Sequence, residues 1–202
     1  MKRIFLFYIM AIMAISMSAQ NDVTTFLGIP VDGFKSEMKQ KLVSKGFVPK
    51  KVGTNEFLEG EFNGTDVHVY IATNNNKVYR IMLCDANTQN EANIKIRFNK
   101  LVSQFENNKR YTSLDKYTLS DEENISYEMT VNKKNYDALF SSNPQPIGFS
   151  GILLAKRQNS FYCTYFLHNR NVADTKSPYP IKRLEVIRWF NQKSMVFNQS
   201  LS

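Results

Sequence analysis

The dipeptide Asn63-Gly64 constrains this chain more than any other two residues in it. Both tolerate positive φ, so as a two-residue loop they form a type I′ turn, whose twist suits antiparallel strands. Residues facing each other across the turn share a face of the sheet. The pairs are then Phe62 with Thr65, Gly60 with Val67 and Leu58 with Val69 on one face. Glu61 with Asp66, Glu59 with His68 and Phe57 with Tyr70 lie on the other. The first face is apolar and the second mostly polar, and a slip of one residue would mix them.

A second turn, Asn74-Asn75-Asn76, extends the meander. As a three-residue loop it sets Ile71 opposite Tyr79, Val69 opposite Ile81 and Val67 opposite Leu83. The expected core face is therefore Leu58, Phe62, Val67, Val69, Ile71, Tyr79, Ile81 and Leu83. The open face carries Glu59, Glu61, Asp66, His68, Tyr70, Arg80, Met82 and Cys84. A helix precedes these strands. Phe34, Met38 and Leu42 recur every four residues, and Lys41 and Lys45 suit the negative end of a helix dipole. Gly33 can cap its start, Gly46 is the expected left-handed stop, and Pro49 limits the next segment to a sheet edge.

The same order follows again. Thr88 to Glu91 is a capping box, and Ile94, Phe98, Leu101, Val102 and Phe105 recur at helical spacing, which predicts a helix over 89–107. Ile125, Tyr127, Met129 and Val131 alternate with polar residues and predict a strand, paired with Tyr117 and Leu119. Two further strands, 148–157 and 160–168, meet around Gln158-Asn159. The second is apolar on both sides, as a central strand covered twice would be. Lys41-Leu-Val-Ser44 recurs as Lys100-Leu-Val-Ser103, near the end of each helix. The expected fold is α+β: two consecutive helix-plus-antiparallel-meander units, 24–87 and 88–175, with helices packed on one face of the sheets. A basic C-terminal tail, 176–202, completes the chain.

Residues 1–19 read as an export signal. Lys2 and Arg3 precede the apolar run Ile4 to Ile15, and small residues end at Ala19. The run is short for a transmembrane helix, no other stretch could span a bilayer, and no cysteine sits near the cleavage site for a lipid anchor. The closing Ala-Gln resembles Gram-negative leaders, so the expected location is periplasmic or secreted. Cys84 and Cys163 are then a disulfide candidate. The register argues against that bond, because it turns Cys84 off the core face.

Phe26-Leu-Gly-Ile-Pro30, Gly33, the Lys-rich helix, Lys45-Gly46-Phe47 and Phe62-Asn-Gly-Thr65 resemble small exported bacterial proteins of unknown function with a β-lactamase-inhibitor-protein-like fold. The resemblance is best over residues 26–108. It implies tandem helix-plus-four-strand units whose open sheet face contacts partners.

The net charge is +8, but basic residues are scattered and no run of five like charges occurs, so nucleic acid is not an expected partner. No phosphate loop, His-Glu-x-x-His or Cys-x-x-Cys is present. Ser150 lacks the spacing of a nucleophile elbow. Cys163 lies on an apolar face that disfavours a thiolate, and His168, near Asp174, has no nucleophile tied to it. The expected function is a non-enzymatic binding module, without cofactor or metal, whose open face holds a protein or envelope component. Its contact residues would be Tyr70, Arg80, His68, Met82, Glu59, Glu61 and Asp66.

Two alternatives stand beside it. One is a metal-dependent hydrolase built on Glu59, Glu61, Asp66 and His68, whose opposed carboxylates would suit a cation. A solvated strand face with a Glu59–His68 cross-strand pair accounts for the same residues. The other is an envelope structural or assembly factor anchored through the tail, where Ile181, Leu184, Ile187 and Phe190 recur among basic residues.

Overall fold

The computed structural model describes residues 23–114, 118–142 and 148–169. The expected leader 1–19, the tail 176–202, Tyr117 and Asp174 lie outside them. Two short strands, β1 (Thr25–Phe26) and β2 (Ile29–Pro30), form a ribbon around Leu27 and Gly28, both at positive φ. Helix α1 (Lys35–Ser44) follows, burying Met38 and Leu42. Gly46, at φ 95°, donates to Val43, and the N–H of Phe47 donates to the Leu42 carbonyl, 3.1 Å away. These two bonds satisfy carbonyls that the helix end would otherwise leave open.

Strands β3 (Val48–Val52), β4 (Asn55–Glu61), β5 (Asp66–Asn74) and β6 (Lys77–Asp85) form the first meander. Around Asn63-Gly64 the register pairs Leu58 with Val69, Glu59 with His68, Gly60 with Val67 and Glu61 with Asp66. Gly60 is required there, because a Cβ would sit 2.5 Å from the Phe47 ring. The next turn differs from its expected form. Asn75 and Asn76, at φ 48° and 62°, make a two-residue loop, and a bulge shifts the pairing between Ala72 and Thr73. Val69 therefore faces Leu83, and Ile71 faces Ile81. The extra residue is Tyr79, which packs against His168, 5.7 Å between rings, instead of joining the core.

Helix α2 (Glu91–Glu106) is capped by Asn90, whose side chain accepts from the Asn93 N–H. Strand β7 (Tyr111–Ser113), helix α3 (Ile125–Thr130) and strands β8 (Tyr136–Ser142), β9 (Gly148–Arg157) and β10 (Ser160–Asn169) complete the described chain. Helix α3 replaces the strand expected at 125–131. Asn124 accepts from the Tyr127 N–H at 2.8 Å, and the Glu91 carboxylate accepts from the N–H groups of Ile125 and Ser126. Those bonds start a helix, and the apolar alternation does not correspond to burial: Ile125 is buried while Tyr127 and Val131 are exposed. Leu119 is held by the Asn99 side chain, which both donates to its carbonyl and accepts from its N–H.

The expected architecture of two helix-plus-meander units, 24–87 and 88–175, is corrected by the strand order. All strands from β3 onward belong to one eight-stranded antiparallel sheet, ordered β3-β4-β5-β6-β10-β9-β8-β7. Its centre is the β6–β10 pair, where Leu83 faces Tyr165 and Ile81 faces Leu167. Only three helices, all short, accompany that sheet among the described residues. One buried cluster takes Met38 and Leu42 from α1, Ile94, Phe98 and Leu101 from α2, and side chains from both halves of the sheet. A smaller cluster of Met82, Leu153 and Phe166 lies on the opposite face, so β10 is buried on both sides.

The central pair is joined to α2 by charge. Arg97 forms a salt bridge to Asp85 at 2.7 Å, with the Asp85 side chain fully buried. The other Asp85 oxygen accepts from the Cys163 N–H at 3.0 Å. Burial opposes the Arg97 charge, but the Asp85 hydrogen bonds hold its pKa above the ordinary value. Arg97→Ala should therefore cost about 3–5 kcal/mol, because it strands a buried carboxylate. The double variant Asp85→Leu/Arg97→Met should cost less than either single change, as read from urea unfolding midpoints. A strictly additive double variant contradicts this.

Candidate functional site

The polar face of the first hairpin is where the binding surface is expected, and where the alternative metal site would lie. Glu59 and His68 are paired across it, as are Glu61 and Asp66. Phe57 packs on His68 at 4.7 Å and on Tyr70 at 5.7 Å between rings. Burial lowers the His68 pKa, against the opposing pull of Glu59. Burial raises that of Tyr70, helped by Cys84 and Tyr162. Glu59 forms an ion pair with Lys50 across β3 and β4 at 3.5 Å, so a lysine already answers its charge. Among the described residues no group of three or more His, Cys, Asp or Glu is placed to hold a metal ion.

Arg80 and Met82 are corrected as contact residues, since both are only 6% exposed. The cause is the β6–β10 joint, which sets Phe166 beside Met82 and His168 beside Arg80. Arg80 donates through Nε to His168 Nδ1 at 3.3 Å, and its guanidinium lies over the Tyr79 and Phe166 rings. That bond requires a neutral imidazole. Glu61 and Asp66 are exposed, while Glu59, His68 and Tyr70 are half-buried. The face is therefore a rim of carboxylates beside a largely covered aromatic row.

The disulfide candidate is also corrected. Cys84 lies directly opposite Thr164, and Cys163 is the next residue on β10, so the two side chains point to opposite faces. Both thiols are free. Burial pushes Cys84 up to about 12 and Cys163 well above its ordinary value, so neither is poised as a nucleophile. Ser150 is fully buried in β9.

A concave site lies elsewhere, on the core side of the sheet. It is a cleft of about 180 Å³ between the last turns of α2, the Asn63-Gly64 hairpin tip and the β1–β2 ribbon. Leu101 and Phe105 of α2 face Tyr165 and Leu167 of β10 across it. Phe62 links the walls, with ring centroids 5.3 Å from both Phe26 and Tyr165. Tyr111 meets Phe105 edge-on at 5.0 Å, and Phe105 stacks on Phe140 behind it. Asn63 donates from Nδ2 to Gln104 Oε1 at 2.8 Å, tying the hairpin tip to the helix. Burial raises the pKa of both Tyr111 and Tyr165, keeping the phenols protonated.

The sequence offered each wall separately: Phe105 on an apolar helix stripe, Phe62 on the core face, Phe26 ahead of Gly28. Nothing in their spacing brings them together, because the walls come from four segments. No family model matches the chain, and neither the curated proteins nor the solved structures contain a match. No helix among the described residues is long and apolar enough to cross a membrane.

The Arg80–His168 contact gives an acid signature. Burial and the facing guanidinium push His168 down to about 3, whereas the unfolded chain takes that proton near 6.5. The unfolded state then binds more protons between those values, so the His168 contribution is complete above about pH 6.5 and is lost as pH falls toward 3. His168→Gln retains an acceptor for Arg80 and should flatten the decline in stability from pH 7 to pH 4 by about 1–3 kcal/mol. Parallel urea-midpoint profiles for parent and variant would assign the acid sensitivity to other groups.

Proposed function

We propose that this chain is an exported, non-enzymatic binding module whose ligand seat is the cleft between α2, the Asn63-Gly64 hairpin and β10. The observation that carries this reading is the cleft itself, a concave, aromatic-lined space at the junction of separate elements, which is where small-ligand sites concentrate. Export is supported by the Lys2-Arg3 start, the apolar run to Ile15 and the small residues to Ala19. An envelope component is the partner class consistent with that compartment.

The buried titratable groups support binding over catalysis. Asp85 is engaged by Arg97, Arg80 by His168, and both thiols are held protonated. Each serves packing and none of them lines the cleft; the titratable groups that do, among the described residues, are the phenols of Tyr111 and Tyr165, which burial keeps protonated. General acid–base or nucleophilic chemistry needs such a group within reach of a bound molecule.

The test is recovery of a bound molecule. The full chain is incubated with native envelope extract, re-purified, denatured, and the released small molecules are identified by mass spectrometry. One compound should be retained by the parent in near-stoichiometric amount and chemically unaltered, and should be lost from Leu101→Trp, whose indole fills the cleft. A parent that emerges empty, or that converts the compound, overturns the proposal. Circular dichroism confirms that the variant is folded.

A further inference from the structure

Resting on that reading of the cleft, we infer that its ligand is an uncharged, mainly apolar molecule about the size of one aromatic ring, with a single polar substituent held at the rim. The first ground is charge. Asp, Glu, Lys and Arg make up 22% of the chain, yet among the described residues none of them, and no histidine, lines the cleft. A charged ligand entering it would lose hydration and gain no counter-charge from the described lining in return.

The second ground is shape and surface. Phe26, Phe62, Phe105, Tyr111 and Tyr165 present ring faces and edges to a small volume. Aromatic pairs favour offset or edge-to-face contacts, which a further ring can extend. The volume, about 180 Å³, slightly exceeds the roughly 150 Å³ of an apolar cavity known to accept benzene. One ring with a short substituent fits that difference.

The third ground is where the polar atoms stand. Asn63, Gln104 and Asn108 bring carboxamides to the rim, and Gln104 is on the exposed side of α2. The Asn63–Gln104 bond uses one Asn63 N–H and the Gln104 oxygen. Each carboxamide carries an acceptor oxygen and two N–H donors, so that bond does not exhaust the chemistry of either group. Asn108 Oδ1 accepts from the Arg110 N–H. A carbonyl or hydroxyl on the ligand would meet this rim, with its ring against Phe105 and Tyr165.

Three probes of similar size test the class: acetophenone, benzoate and benzylammonium, each titrated into the full chain and followed by ligand-observed NMR. Acetophenone should bind, and the two charged probes should bind at least roughly tenfold more weakly. Leu101→Trp should abolish acetophenone binding. Gln104→Lys, a change on exposed helix surface that leaves the core intact, should shift the preference toward benzoate. Charged probes that bind as well as acetophenone, and are displaced by Leu101→Trp, overturn the neutral class but leave the cleft as the seat. Acetophenone binding that survives Leu101→Trp places the contact elsewhere and overturns both. Failure of all three probes overturns the ring-sized class alone, since the extract experiment judges the seat independently.

Discussion

The structure depends on one buried carboxylate. Asp85 ends β6, accepts from the Arg97 guanidinium of α2 on both oxygens, and on one of them, Oδ2, also from the backbone N–H of Cys163 in β10. One side chain thus fixes the spacing of two central strands and the position of the helix over them. A second tie lies close by, where Gln89 and Phe161 exchange backbone hydrogen bonds just ahead of α2. With both ends of this attachment held, α2 presents Leu101 and Phe105 toward Tyr165 and Leu167 of β10, and the cleft is the space left between them. A buried ion pair contributes little net stability compared with apolar packing of the same shape. Its value here is geometric, because a guanidinium and a carboxylate have a preferred approach that a leucine pair lacks.

Local chemistry was legible in the sequence, and pairing between distant segments was not. The Asn63-Gly64 register could be read from turn type and alternation because both constraints act within a few residues. The following turn differs from its expected form because the bulge at Ala72 and Thr73 absorbs one residue, leaving no mark in the hydrophobic pattern except Tyr79. At 125–131 the alternation suggested a strand, while the cap from Asn124 and the carboxylate of Glu91, far away in sequence, selected a helix. The fusion of two meanders into one sheet rests on β6 meeting β10, and no rule of periodicity encodes which strand a strand will choose.

The same distinction explains the site. His68, Tyr70 and the carboxylates were placed on one face by register alone. That face was expected to be open because the neighbour of β6 was unknown, and β10 then brought Phe166 and His168 alongside Met82 and Arg80. The cleft was hidden for the converse reason. Its aromatic walls each look like ordinary core residues in their own segment, and they become a site only when the hairpin tip, ribbon, helix and central strand converge.

The β6–β10 joint also dictates an order of events during folding. β10 is the last strand among the described residues, yet it sits at the middle of the sheet, and the Asp85–Cys163 bond spans 78 residues of chain. Closing so long a loop before its contacts can form makes folding slow relative to a fold built from local pairs. The first meander therefore waits, with the β6 edge unpaired, until the β9–β10 hairpin is available to pair with it. During that interval the exposed row of β6 amides and carbonyls is open to any strand that reaches it first. A shortage of chaperone capacity should be felt by this protein at that edge.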